Sequence, residues 1–298
     1  MPTPTASSPA PNRSADSFRT APDVALPVAR EVAAACSDVL MASFGTIAAR
    51  SKEGGVSHDL VTDADVASER AAAAILRERF PNHAILGEEN AASPPPSDPA
   101  AEPSLWIIDP LDGTTNYAHG LPHFAVSIAY YERGRPVAAI VANPARGERY
   151  EATVGGGATR HDGKGSRPLR VAEANSLDAV LVGCGFYYDR GPMMQATLAA
   201  IEETFGHGIH GIRRMGTASL DLCQVASGQF GVFFEYKLQP WDYAAGRLIV
   251  TEAGGRVSTC EGGDIPVEAT SFLATNGRLH DAMLAIVRRH ATAAAPAT

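Results

Sequence analysis

The stretch Trp106-Ile107-Ile108-Asp109-Pro110-Leu111-Asp112-Gly113-Thr114-Thr115-Asn116 constrains this chain more than any other. The apolar run Leu105–Ile108 reads as a strand that delivers Asp109 at its end. Proline cannot continue a ladder, so the chain is expected to turn at Pro110. Asp112 follows close enough to share a site with Asp109. Gly113-Thr114-Thr115 then opens a turn or short helix, and free amides at such a start bind phosphate well. Two carboxylates held together repel and raise each other's pKa. A divalent cation reverses that cost, and magnesium prefers carboxylate, carbonyl, water and phosphate oxygens. A plain Asp-Pro-x-Asp-Gly turn is the structural alternative. The strand before it and the Thr-Thr-Asn after it favour metal binding.

The surrounding pattern mixes helices and strands. Val28, Val32, Ala35, Val39 and Leu40 share a helical face over Val24–Phe44. Ser51–His58 reads as a polar loop. Thr62 looks like the N-cap of a helix reaching Phe80, with Thr62-x-x-Asp65 resembling a capping box. Ala84–Gly87 reads as a strand leading into Glu88-Glu89. Phe124–Tyr131, Pro136–Val141 and Arg149–Val154 read as an antiparallel meander. In the second half, strands at Ala179–Gly183, Gly231–Glu235 and Phe272–Thr275 alternate with helices at Pro192–Phe205, Ala218–Ser227, Trp241–Ala253 and Leu279–Arg289. This mixture predicts a layered α+β fold rather than a regular βαβ array. One domain over residues 24–290 is expected, with two lobes of roughly residues 24–175 and 176–290 sharing one cleft. An Ala/Pro/Ser/Thr-rich leader over residues 1–23 is expected to be disordered, and the tail from residue 291 to be frayed.

Asp65, Glu88 and Asp242 each have an ordinary explanation taken alone: a cap, a solvated acidic pair, a helix-dipole partner. Together they end strands or open helices, which is where open α/β sheets build sites.

The net charge of −8 gives no global basic field for nucleic acid or anionic lipid. An acidic protein acting on an anionic substrate needs a local positive device, and bound cations supply one. No run is long and apolar enough to span a membrane. The four cysteines form no CxxC pair, which predicts reduced thiols in a cytoplasmic protein. There is no HExxH and no GxSxG, which argues against a zinc or serine hydrolase. Cys184 and Cys223 lie in apolar surroundings, where a thiol is inert core. His119 and His123 read as packing or surface residues.

GEE at 87–89, WIIDPLDGTTN at 106–116 and PWDYAAGRLIVTEAGG at 240–255 resemble the motifs of the inositol monophosphatase family. Asp59-Leu60-Val61-Thr62 followed by Asp65, and Gly216-Thr217-Ala218, fit the same pattern. Several motifs in the right order signal far more than one alone. The resemblance implies a layered αβαβα sandwich of the sugar-phosphatase type with mixed and antiparallel sheets. It also implies a homodimer and lithium-sensitive catalysis with two or three Mg2+ ions. By this resemblance Glu88, Asp109 and the Leu111 carbonyl hold a first metal; Asp109, Asp112 and Asp242 hold a second; Glu88 also contacts a third ion. Thr114, held by Asp65, positions the attacking water, and the amides of Gly113, Thr114 and Thr115 receive the phosphate. Gly216, Thr217, Ala218 and Glu235 line the leaving-group side, with Glu235 on substrate hydroxyls, and Asp242 also contacts substrate. Lys52 matches the family's loop lysine. Gly185-Phe186-Tyr187-Tyr188 departs from the Gly-Phe-Pro-Phe/Tyr of many bacterial relatives. The implied substrate is a small phosphorylated polyol or sugar, inositol monophosphate first. Histidinol phosphate, fructose bisphosphate and phosphoadenosine phosphate are the alternatives within the superfamily, and a protein-binding role in transcription is the alternative of another class.

Overall fold

The computed structural model describes residues 20–46, 50–51, 60–90 and 94–294. Residues 1–19 of the expected leader, the loop carrying Lys52 and Asp59, and residues 295–298 lie outside the described residues. In chain order the elements are α1 (Pro22–Ser43), β1 (Arg50–Ser51), β2 (Leu60–Val61), α2 (Asp63–Arg79), β3 (Ala84–Gly87), β4 (Leu105–Asp112), α3 (Thr114–Ala118), β5 (Ala125–Glu132), β6 (Arg135–Asn143), β7 (Glu148–Thr153), β8 (Gly157–Asp162) and β9 (Gly165–Pro168). They continue with β10 (Leu181–Cys184), α4 (Pro192–Gly206), β11 (Gly211–Arg213), α5 (Ala218–Ala226), β12 (Val232–Leu238), α6 (Pro240–Glu252), β13 (Arg256–Ser258), β14 (Thr270–Thr275) and α7 (His280–Ala294).

Strands β3 to β9 form a seven-stranded sheet in sequence order, antiparallel except for the parallel β3–β4 pair. A five-stranded mixed sheet runs β11-β10-β12-β14-β13. Side-chain alternation makes each sheet two-faced. On the large sheet Trp106, Ile108, Ile128, Tyr130 and Ile140 face α1 and α2. Ile107, Ala129, Tyr131, Ala139 and Val141 face the other way, onto α5 and α6. The opposite side of α5 and α6 meets Phe233, Phe272 and Ala274 of the small sheet. Val232, Phe234 and Leu273 point outward to α4 and α7. The order is therefore helix pair, sheet, helix pair, sheet, helix pair: the αβαβα sandwich that the motifs imply. Arg30 on α1 clamps the large sheet through a bidentate pair with Glu151, both contacts at 2.8 Å.

Three boundaries differ from expectation. Helix α1 starts at Pro22, inside the expected leader, because proline at the first helical position gives up an N–H that has no partner there anyway. Helix α7 runs past Ala291 to Ala294, with Ala291 buried in the outer core. Strand β4 does not stop at Asp109-Pro110 but continues to Asp112. Its pairing with β5 steps from Asp109↔Ser127 to Asp112↔Ala125, three residues against two, so a bulge absorbs the proline. Strands β1, β2, β8, β9, β11 and β13 are not among the expected strands, and β1 takes Ser51 out of the expected loop. β9 is exposed throughout, and β8 buries only Ala158, so neither carries an apolar alternation to read.

Gly246 of α6 packs directly against Leu222 of α5. A Cβ on Gly246 would lie 2.3 Å from Leu222 Cδ1 and 2.7 Å from its Cβ. Gly246→Ala is expected to destabilise the protein by about 1–3 kcal/mol through overpacking. Leu222→Ala should cost less in the Gly246→Ala background than in the unchanged protein, because the clash with Cδ1 disappears while that with Cβ remains. Chemical denaturation of the two single variants and the double variant checks this.

Candidate active site

Three structural facts bring the acidic residues together. Strands β3 and β4 are parallel neighbours with Gly87 opposite Ile108, so both C-terminal ends reach the same edge and Glu88 emerges beside Asp109. Residues three apart on a regular strand point to opposite faces. The β4 bulge shifts that parity, so Asp109 and Asp112 both face α5 and α6 while Leu111 sits in the opposite core. Helices α5 and α6 then begin at this edge, with Ser219 and Asp242 in their first turns.

The aspartates are aimed by protein donors. Asp109 Oδ1 accepts from the Leu111 amide at 3.0 Å. Asp112 Oδ2 accepts from the Ser219 amide at 2.7 Å and from its hydroxyl at 2.6 Å. Asp242 Oδ2 accepts from the Gln239 amide at 2.7 Å, a capping contact. Ser68 on α2 donates to the Pro110 carbonyl at 3.1 Å and fixes the bulge. Ser127 on β5 donates to the Trp241 carbonyl at 3.2 Å and ties the start of α6 to the large sheet.

Thr62 and Asp65 form the capping box that the spacing predicts. Asp65 is fully buried; its Oδ2 accepts from the Thr62 amide at 2.8 Å, and its Oδ1 accepts from the Thr114 hydroxyl at 3.1 Å. That hydroxyl also lies 3.1 Å from the Leu111 carbonyl. Gly113, the residue before α3, has φ +94°, and a Cβ there would stand 2.5 Å from Thr217 Oγ1. Only glycine meets both conditions. Asn116 binds the turn to the loop before α5, donating to the carbonyls of His123 at 2.8 Å and Met215 at 2.9 Å.

Glu88, Asp109, Leu111, Asp112, Gly113, Thr114, Thr115, Gly216, Thr217, Ala218, Glu235 and Asp242 all line one cavity of about 410 Å³. Asp65 stands behind its wall and reaches it through Thr114. Sequence reasoning did not single out Ser68, Ser127, Ser219, Asp221, Arg190, Arg214 or Lys237. A serine carries no signal of what its hydroxyl will meet, and the cations look like surface residues until the fold turns them to the cavity mouth. Among the described residues no three carboxylate, histidine or cysteine groups already stand in the tight cluster of a closed ion cage. The acidic groups share a wall rather than a point.

That wall is electrostatically costly. Burial is the first cause holding Asp109 well above the usual carboxylate range, followed by repulsion from Glu88, Asp112 and Asp242. Asp242 is raised in the same way, by burial and then by Asp112 and Glu88. Burial pushes Asp112 up to about 6 against its Ser219 hydrogen bonds. It pushes Asp65 up to about 6 and Glu235 up to about 8, the latter opposed by Arg214.

Acidic side chains packed beside open backbone amides, on one cavity between two sheets, define a phosphatase, an enzyme that cleaves phosphate monoesters. The model of the inositol monophosphatase family matches residues 22–292. The chain belongs to that family. It is 42% identical to the Nus factor SuhB of Pseudomonas aeruginosa, over 78% of this chain and 84% of that one. It is 41% identical to an inositol-1-monophosphatase of Rhizobium meliloti, with the same two coverages. A chloroplastic phosphatase of Arabidopsis thaliana, IMPL1, is 41% identical over 76% of this chain, which spans 60% of that protein's length. The solved structure of inositol monophosphatase from Anabaena superposes with a TM-score of 0.77 at 34% identity, over 90% of this chain and 96% of that one.

Ser219→Ala removes one of the hydrogen bonds that aim Asp112 and leaves the backbone contact. The expected outcome is a loss of roughly 10- to 100-fold in kcat/KM for phosphomonoesters, from misdirection of a single carboxylate. Thermal denaturation should show the fold retained.

Proposed function

We propose that this cavity hydrolyses a small phosphomonoester with magnesium as its cofactor, and that inositol monophosphate or a similar polyol phosphate is the substrate. The observation that carries the reading is the convergence of Glu88, Asp109, Asp112 and Asp242, from three separate parts of the chain, beside the Gly113–Thr115 amides. The donor set fits the ion: every group is a hard oxygen ligand, and burial with mutual repulsion is the cost a dication removes. Glu88, Asp109 and the Leu111 carbonyl would hold one ion. Asp109, Asp112 and Asp242 would hold another, with Glu88 contributing to a third. Magnesium, when bound, supplies Lewis-acid charge and lowers the pKa of a coordinated water.

The chain's own residues do the rest. Thr114 commits its hydroxyl proton to Asp65 or to the Leu111 carbonyl, which leaves its oxygen lone pair to orient an incoming water. The amides of Gly113, Thr114 and Thr115 hold the phosphate oxygens. Gly216, Thr217, Ala218 and Glu235 stand on the leaving-group side, and Glu235 selects among alcohols. No side chain is needed as a covalent nucleophile. The same reading carries one domain over residues 24–290 with its two lobes sharing the cleft, a homodimer, a cytoplasmic location and inhibition by lithium. Among the described residues no helix is long and apolar enough to cross a membrane.

Asp112→Asn and Asp242→Asn are each expected to abolish release of inorganic phosphate with the fold intact. Each should also abolish the rise in melting temperature that magnesium gives the unchanged protein. Substantial magnesium-dependent turnover in either variant overturns that ligand. The assay panel is inositol, sugar, histidinol and nucleotide phosphates, with and without magnesium and lithium. Glu235→Gln is expected to change the order of preference across the panel more than the highest rate; an equal loss on every substrate counts against its role. The name of the Pseudomonas relative favours a second reading, a protein-binding role in transcription. A partner retained by Asp109→Asn in a pull-down supports that reading, because a scaffold survives the loss of catalysis.

A further inference from the structure

Asp221 lies in the first turn of α5, is 1% exposed, and forms part of the cavity wall. Its Oδ1 is buried with no hydrogen-bond partner among the described residues. A buried carboxylate oxygen left unpartnered costs stability. Its neighbours do not explain it. Asp112 and Glu235 are like charges that repel it, and burial raises it well above the usual carboxylate range. Arg214 brings the opposing positive charge to both Asp221 and Glu235 from the exposed loop before α5. The local need for a cation is therefore met in part, and what Asp221 lacks is a hydrogen-bond donor. Glu235 reaches the same cavity from β12. Asp221 and Glu235 thus line one cavity on the side assigned to the departing alcohol.

We propose that Asp221 is a specificity-determining residue that accepts a hydrogen bond from a hydroxyl group of the leaving alcohol. This deepens the phosphomonoesterase reading and rests on it. The ligand class is a polyol, whose neutral hydroxyls donate without adding charge beside Arg214. A leaving group with no spare hydroxyl leaves the Asp221 oxygen unpartnered in the complex. A site built around a hydrogen bond discriminates against such a ligand strongly.

The experiment compares inositol monophosphate with phenyl phosphate, using kcat and KM of the unchanged protein, Asp221→Leu and Asp221→Asn in magnesium. Asp221→Leu keeps the approximate shape and removes the acceptor. The ratio of kcat/KM for inositol monophosphate to that for phenyl phosphate should fall roughly 10- to 100-fold, the scale of a hydrogen bond to a charged group. The fall should appear mainly in KM, because the contact exists before the transition state. Asp221→Asn should lie between, since its side-chain carbonyl still accepts. Asp221→Leu should also melt no lower than the unchanged protein, because it deletes an unpartnered buried polar group. A ratio within about twofold of the unchanged protein in both variants overturns the proposal. If Asp221→Leu does not fold, the ratio for Asp221→Asn decides alone. An unchanged protein that releases phosphate from neither compound overturns the phosphomonoesterase reading instead, so the two failures are distinguishable.

Discussion

The repulsion among Glu88, Asp109, Asp112 and Asp242 is the constraint around which the fold is arranged. These groups sit where water is scarce, and burial raises the three aspartates before their neighbours raise them further. Left to itself such an arrangement relaxes outward. It is held by hydrogen bonds from elements on all sides: Leu111 on β4, Ser219 on α5 and the Gln239 amide before α6. Each donor fixes one carboxylate oxygen and costs little reorganisation, because the donors are backbone groups or a fully buried serine. The positive ends of α5 and α6 point at the same place, which offsets part of the repulsion.

Rigidity at this edge comes from the middle layer. Helices α5 and α6 are packed on both sides by sheets, with Leu222, Leu248 and Ile249 fully enclosed. A site carried on their first turns inherits that immobility. The bulge in β4 is equally constrained. Ser68 grips it from the outer helix layer, Ser127 ties the next strand to α6, and Pro110 has no amide to lose. The bulged stretch is therefore bound to three layers at once.

Much of this was legible in the sequence. The strand at Ala84–Gly87 is found with those bounds, and Thr62 and Asp65 form the expected cap. Most main helices fall within a residue or two of their expected ends, because each carries a cap, a proline or a glycine that punctuates it. Glu88, Asp109, Asp112, Glu235 and Asp242 line one cavity. What was not legible depended on distance in three dimensions. Pro110 reads as a stop, and only the pairing with β5 shows that a bulge carries the strand through it. Ser219 reads as an unremarkable helix residue until Asp112 arrives from more than a hundred positions away. Asp221 reads as a first-turn acid favouring the helix dipole, and nothing in its spacing reveals that its oxygen is left without a donor.

The sequence points to bound cations as the local positive device that an anionic substrate needs. The cavity shows a second source of positive charge. Arg190, Arg214 and Lys237 stand on its wall beside Tyr187 and Tyr188. Lys237 Nζ lies 4.6 Å from the centre of the Tyr187 ring, and Arg190 donates to the Tyr187 carbonyl at 2.9 Å. The segment that departs from the usual Gly-Phe-Pro pattern is thus the one that steadies two of the three cations. In a chain of net charge −8, a local field of this kind decides whether an anion is drawn in or turned away. The cavity wall therefore carries both signs, Arg190, Arg214 and Lys237 standing among the carboxyl groups of Glu88, Asp109, Asp112, Asp221, Glu235 and Asp242. These fixed cations leave the mutual repulsion of Glu88, Asp109, Asp112 and Asp242 in place, and that repulsion is the cost the proposed dications would offset.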